Sequence, residues 1–248
     1  MEPVFRTLEI AADAAVKAAG TAITYEGLEH IPRVGGAVVA INHTSYVDWL
    51  PAALAAKRRG RRMRFMIKSE MTEVKVVNFL ITHTRTIPVD RRAGADAYAV
   101  AVRRLREGEL VGVYPEATIS RSFELKAFKT GAARMALEAR VPVVPLIVWG
   151  TQRIWTKDHP KRLRRNKIPI TVRVGPALPP KGPAVHLDDT MRAAMAAVLA
   201  GVQRDYPAPD GAYWVPKRLG GTAPTPEEAL MLDQEELAQR ARRQAGRD

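Results

Sequence analysis

The sequence predicts an α/β fold: a single domain with a mostly parallel central sheet flanked by helices, an N-terminal amphipathic helix and a C-terminal polar helix. Three observations predict it. Short apolar runs alternate with longer segments of helical period, the pattern of strand–helix–strand crossovers. Several of the runs are continuous rather than alternating, as strands buried on both faces require. Finally, 248 residues with 46% hydrophobic and 26% charged side chains can fill a real core, which excludes wholesale disorder.

The elements follow in order. Residues 3–19 read as a helix, with Pro3 suited to a first turn and Phe5, Leu8, Ala12, Ala15 and Ala19 on one stripe. The alanine-rich stripe suits packing on the domain, and the same amphipathicity suits a lipid surface. Strands are expected at Ala22 to Gly27, Ala37 to Asn42, Arg64 to Ile67, Thr84 to Val89, Leu110 to Tyr114, Val143 to Trp149 and Ile170 to Val174. Helices are expected at 46–58, 73–81, 94–107, 127–139 and 187–203. Residues 206–224 are Pro- and Gly-rich and read as an irregular connection. Thr225 with Glu228 forms a capping-box pattern that opens the polar helix to about residue 243. The organisation is therefore a helix over 1–20, an α/β domain over 21–205 and a C-terminal segment over 206–248.

Charge and missing residues narrow the function. Lys and Arg total 39 against 26 Asp and Glu, a net charge of +13. Such a surplus points to an anionic partner: nucleic acid, an anionic membrane surface or phosphorylated small molecules. Two basic clusters stand out, Lys57, Arg58, Arg59, Arg61, Arg62 and Arg64, and Arg153, Lys157, Lys161, Arg162, Arg164, Arg165 and Lys167. Each reads as a solvated face or as a contact for anionic lipid or phosphate. With no cysteine there is no disulfide scaffold, thiol nucleophile or cysteine zinc site. The longest stretch free of Asp, Glu, Lys and Arg is Val34 to Val47, short of the about 20 apolar residues that span a bilayer. The expectation is a cytoplasmic protein, peripheral to the membrane, with no metal and no cofactor. A serine nucleophile elbow, a Gly-rich phosphate loop and a dinucleotide fingerprint are all missing, which leaves noncovalent acid/base chemistry or no enzyme.

Three strand exits carry candidate chemistry. The first is Asn42-His43-Thr44-Ser45-Tyr46-Val47-Asp48. His43 leaves a buried strand, and Asp48 in the first helical turn can bend back to the imidazole, fix its tautomer and leave the other nitrogen as a base. Equally, Ser45 and Asp48 form a capping box, in which case Asp48 caps a helix and His43 is a hydrogen-bonded loop residue. The second exit, Tyr114-Pro115-Glu116-Ala117-Thr118-Ile119-Ser120-Arg121, has Lys126 and Lys129 close by. It reads as a hydroxyl- and phosphate-binding loop or as a turn with solvated charges. The third, Thr86 to Arg92, ends in two arginines that suit bidentate phosphate binding.

Asn42-His43-x4-Asp48, Ile87-Pro88-Val89-Asp90-Arg91, Pro115-Glu116-x-Thr118 and Val141-Pro142-Val143-Val144-Pro145-Leu146 occur in the order and spacing of the four blocks of the glycerolipid acyltransferases. Phe128-Lys129-x-Gly131 follows the third block. Over residues 22–180 the chain resembles in particular the 1-acyl-glycerol-3-phosphate (lysophosphatidic acid) acyltransferases. The resemblance implies that His43 is the general base and Asp48 its orienting partner. It implies that Arg91 binds the acceptor phosphate, and that Glu116 and Thr118 help bind the glycerol phosphate. The fourth block is then a supporting strand. The third block departs from the family's usual Pro-Glu-Gly-Thr-Arg, with Ala117 for glycine and Ile119 for arginine; Arg121 is the candidate substitute, with Lys129 beside it. The implied reaction moves an acyl chain from acyl-coenzyme A or acyl-carrier protein to a lysophosphatidic acid hydroxyl, with no covalent acyl-enzyme. Another lipid-linked or sugar acceptor is the alternative. A basic nucleic-acid-binding protein is the reading from another class, disfavoured by 6% aromatic residues and no RNA-binding aromatic motif.

Overall fold

A computed structural model describes residues 3–69, 75–90 and 94–245. Seven strands, β1 (Ile23–Glu26), β2 (Ala37–Ile41), β3 (Met63–Lys68), β4 (Ile87–Val89), β5 (Leu110–Val113), β6 (Val143–Trp149) and β7 (Ile170–Val174), form one sheet in the order β1-β7-β6-β2-β5-β3-β4. The helices are α1 (Pro3–Ala18), α2 (Trp49–Arg58), α3 (Lys75–His83), α4 (Gly94–Arg106), α5 (Gly131–Ala139), α6 (Ala184–Asp205) and α7 (Pro226–Ala245).

The five strands β6, β2, β5, β3 and β4 are mutually parallel. Their carboxyl ends therefore share one edge of the sheet, and the segments that follow β2, β5 and β6 gather there. The β1–β7 pair runs against them, because β7 is antiparallel to β6 and parallel to β1. Residues 150–169 connect β6 to β7, and they cross the same edge before the chain turns back.

The central strands β2, β5 and β6 are buried along their whole length. One face packs Val38, Ala40, Val111, Val113 and Ile147 against α4, α5 and α6. The other packs Val39, Ile41, Val144 and Leu146 against Ala52, Ala55 and Ala56 of α2. Small residues on α2 let it lie close to the sheet. Gly36 opens β2 where a Cβ would stand 2.0 Å from the Leu105 carbonyl oxygen, so only glycine lets α4 and β2 meet. Pro88 sits in an edge strand, where its missing N–H costs no ladder bond.

The N-terminal helix lies on the body. Lys57 of α2 pairs with Asp13 at 2.5 Å, Arg62 reaches Glu9, and the Arg62 guanidinium stands 4.9 Å from the Phe5 ring centroid. Ile10 remains exposed. No helix among the described residues is long and apolar enough to cross a membrane.

Two helices start later than the sequence reading has them, and α6 starts earlier, at Ala184 rather than 187. α2 begins at Trp49 rather than 46 because residues 46–48 form a turn that bends the Asp48 carboxylate backwards. α5 begins at Gly131 rather than 127 because Lys129 donates its N–H to the Pro115 carbonyl and holds that stretch against the loop after β5.

Candidate active site

His43 leaves β2 at the shared strand edge, and its Nδ1 lies 3.2 Å from Asp48 Oδ2. Asp48 has no exposure, and both its oxygens are occupied. Oδ2 also accepts the Thr44 and Ser45 main-chain N–H groups, each at 2.8 Å, and Oδ1 accepts the Thr151 hydroxyl at 2.5 Å. The donor set satisfies a buried carboxylate without solvent. The contact to Ser45 N belongs to the turn before α2: Asp48 is the N-cap residue but makes no side-chain cap bond, so its carboxylate serves this turn and the imidazole rather than capping the helix. With Nδ1–H donated to Asp48, Nε2 carries the free lone pair.

Other contacts hold the His43 backbone and ring. The ring stacks on Tyr114 with centroids 4.2 Å apart. Burial, and then the Asp48 charge, push the Tyr114 phenol well above its ordinary range, so it stays neutral. The His43 N–H donates to Glu116 Oε1 at 2.8 Å, and the His43 carbonyl accepts the Ser120 N–H at 2.8 Å. Asn42 bonds both ways with the main chain of Val148, locking β2's exit to β6.

Glu116 is 4% exposed. Its second oxygen accepts the Lys126 N–H at 3.1 Å, so the carboxylate ties the His43 strand exit to the loop after β5. Burial pushes it up to about 7 against the pull of those two amides and of Lys126. Thr118 accepts a bond from Lys126 Nζ at 2.7 Å. Ala117, at the family's glycine position, has a φ of 61°. A left-handed residue is needed there to turn Thr118 and Glu116 to their partners, the conformation in which glycine is at ease.

The remaining predicted residues are placed unevenly. Arg91 lies outside the described residues. Lys129 is exposed. Ile119, in the family's arginine position, is 3% exposed and packs inward. Arg121 does not stand open for a phosphate: its Nε, Nη1 and Nη2 face Asp158, Asp233 and Glu236 respectively.

The basic clusters also divide. Residues 57–64 lie near the opposite edge of the sheet from His43, and each of the six cations has an internal partner. Arg61 donates to the carbonyls of Pro32, Gly35 and Gly108. Arg59 donates to Ile31, and Arg58 covers the Tyr25 ring. Arg64 pairs with Glu109, while Lys57 and Arg62 bind α1. This cluster is thus engaged with internal partners rather than forming only a solvated face. In the second cluster, Arg153 and Lys157 are engaged inside, whereas Lys161, Arg162, Arg164, Arg165 and Lys167 are exposed around an exposed Leu163.

Thr151 is a site residue that the sequence reading passed over. It follows β6, the neighbour of β2, so a polar residue just beyond the fourth block was the available signal.

Comparison with known proteins places the fold and the family. A family model described as Acyltransferase matches residues 22–149. A 1-acyl-sn-glycerol-3-phosphate acyltransferase of Chlamydomonas reinhardtii is 30% identical over 181 residues, 71% of this chain and 53% of that protein. One from Borreliella burgdorferi is 27% identical over 143 residues, 56% of each chain. The chain thus spans a little over half the length of these curated relatives. The fold is that of the crystal structure of the 1-acyl-sn-glycerophosphate acyltransferase from Thermotoga maritima, with a TM-score of 0.70, 23% identity, and 83% and 82% of the two chains covered. The family match runs over just over half of the sequence and contains His43, Asp48, Glu116 and Thr118, and by it the chain belongs to the acyltransferase family.

Proposed function

We propose that this protein transfers an acyl chain from a thioester donor, acyl-coenzyme A or acyl-carrier protein, to the free hydroxyl of lysophosphatidic acid, giving phosphatidic acid. The observation that carries the reading is the His43–Asp48 pair at the shared strand edge, with Asp48 buried and filled by four donors. The names of the relatives supply the acceptor class.

In this mechanism His43 Nε2 takes the proton of the acceptor hydroxyl. The oxygen forms a bond to the thioester carbonyl carbon, and the carbonyl electron pair moves to its oxygen. That oxyanion collapses, the carbon–sulfur bond breaks, and the leaving thiolate takes the proton back from the imidazolium. Asp48 stabilises the imidazolium between the two proton transfers. Glu116, fixed to the main chain of His43, sets where the ring stands, and Thr118, with Arg91 as the family resemblance implies, binds the acceptor's glycerol phosphate.

The same reading puts the protein on the cytoplasmic face of a membrane as a peripheral enzyme. Exposed Tyr46 and Trp49 lie next to His43 in the chain, and Leu163 is ringed by exposed cations, a combination that suits an anionic lipid surface. Thiol release from acyl-coenzyme A with a panel of acceptors tests the proposal. Lysophosphatidic acid should be consumed and acylated, and His43→Ala should lower the rate at least about a hundredfold while the protein stays folded. A folded His43→Ala retaining a tenth of the activity would remove the general-base role. Turnover with a different lipid-linked or sugar acceptor alone would remove lysophosphatidic acid.

A further inference from the structure

Three cations from two loops converge beside the third block. Arg121 and Lys126 come from the loop after β5, and Lys157 comes from the β6–β7 connection. The Arg121 and Lys157 side chains are 8% and 12% exposed, so water screens them little. Their negative charge comes largely from α7. Asp233 meets all three cations, with Lys157 at 3.1 Å. Glu236 takes Arg121 at 2.9 Å and Lys157 at 2.8 Å. Asp158 completes the set on Arg121 Nε at 2.5 Å.

The nest adjoins the His43 site through covalent neighbours. Lys126 Nζ also holds Thr118, and its N–H holds Glu116. Two residues before Lys157, the Trp155 carbonyl accepts the Ser45 hydroxyl and the Tyr46 N–H.

Helix α7 has little else to hold it. Among its described side chains Ala229 is the apolar one that is buried, while Leu230, Met231 and Leu237 are exposed. A helix docked by charge rather than by apolar area can be exchanged for another anion of equal charge. Asp233 and Glu236 together bring two negative charges to three cations. A phosphate monoester dianion brings about the same charge, with three strong acceptor oxygens. Burial alone would raise Glu236, yet Lys157 and Arg121 hold it down at about 2, as a group in an anion site should be held.

We propose that Arg121, Lys126 and Lys157 form a phosphate-binding nest on the rim of the His43 site, and that Asp233 and Glu236 of α7 occupy it as a displaceable internal substitute for a ligand phosphate. Ligand entry then releases α7. The ligand's chemistry is a phosphate group on a substrate of the acyl transfer; assignment to acceptor or donor rests on the function proposed above.

The test uses the full chain. Hydrogen exchange of the α7 amides is followed while inorganic phosphate is titrated, against sodium chloride of matched ionic strength. Phosphate should speed α7 exchange in a saturable way, and chloride should not. Calorimetric phosphate affinity should rise roughly ten- to a hundredfold in Asp233→Asn/Glu236→Gln, the range for losing charged competing contacts. Phosphate acting no more than chloride on the wild type overturns the proposal, whether or not the variant folds. Unchanged phosphate affinity in the folded variant also overturns it. In turnover, the variant should lower KM for lysophosphatidic acid but not for monoacylglycerol, or for acyl-coenzyme A but not for acyl-pantetheine. The first pattern assigns the nest to the acceptor and the second to the donor. Equal change with the phosphate-free analogues overturns it. The exchange arm needs no turnover: an inactive protein whose α7 is still released by phosphate would defeat the acyl-transfer reading and leave the nest standing.

Discussion

The Thr151 hydroxyl donates to Asp48 Oδ1 at 2.5 Å across more than a hundred residues of sequence, joining the exit of β6 to the exit of β2. Thr151 has no exposure, so water cannot take its place. The carboxylate that orients His43 is thus held from both of its oxygens, by main-chain amides on one side and by a neighbouring strand's side chain on the other.

Thr151→Val keeps the shape and removes the donor. A buried acceptor left short of a partner costs about 1–3 kcal/mol, so the midpoint of chemical denaturation should fall accordingly. Turnover should fall several-fold in kcat with KM little changed, because the imidazole loses its orientation and not its substrate contacts. Thr151→Ser should restore kcat. A kcat unchanged in Thr151→Val would show that the main-chain amides alone fix Asp48.

Glu116 gives a pH-dependent signature. Its native pKa, about 7, is above the ordinary 4.5, so the folded state binds its proton more tightly than the unfolded chain does. That contribution is full below about pH 4.5 and is lost as pH rises through 7. Glu116→Gln cannot titrate, and its lost acceptor is a constant offset. Stability of wild type minus that of Glu116→Gln should therefore decline between pH 4.5 and 8, by at most about 3 kcal/mol. Denaturant titrations of both proteins at several pH values decide it; a flat difference would mean that Glu116 is ionised throughout.

Ala117 carries a left-handed backbone with a side chain attached. Ala117→Gly should relieve about 1–2 kcal/mol of strain and give back about 0.4–1 kcal/mol through the freer unfolded chain. The net expectation is a stabilisation of about 1 kcal/mol or less with acyl transfer preserved. Thermal denaturation reads it, and a lowered midpoint would show that the alanine methyl makes a contact worth more than the strain.

The two basic clusters should separate by experiment. Arg61→Ala strips three main-chain carbonyls of their donor and should cost about 1–3 kcal/mol of stability, with binding to anionic vesicles unchanged. Arg164→Ala/Arg165→Ala removes two exposed cations and should leave stability alone. It should weaken sedimentation with anionic vesicles by about 1 kcal/mol per cation at low salt. The reverse pattern would place the lipid contact at the other edge of the sheet.

What the sequence made legible was local. Among the described residues the seven strands and seven helices announce themselves by runs, periods and a capping-box pattern, and His43 and Asp48 stand five residues apart within one strand exit. What it hid was partnership at a distance. Thr151 carries only the weak signal of a polar residue just beyond the fourth block, and nothing in the polar helix α7 says that Asp233 and Glu236 meet Arg121. The carbonyls that take Arg61 belong to main chain, which carries no residue-type signal. Strand direction was hidden too. An apolar run reads the same in either sense, so the reversed β1–β7 pair emerges only from tertiary pairing.

That pair sets a timetable for biosynthesis. Ile23 pairs with Ile170, and every partner of β1 lies in β7. A chain emerging N-terminus first makes β1 and then must add about 150 residues before its neighbour exists. At typical synthesis speeds of about 5–20 residues per second, the wait is roughly 7 to 30 s. Through that interval β1 has no sheet neighbour, and once β6 is made its edge stays bare only until β7 follows. The early chain is therefore the state in which chaperones or a lipid surface have most to bind, and the sheet closes only once β7 has been made.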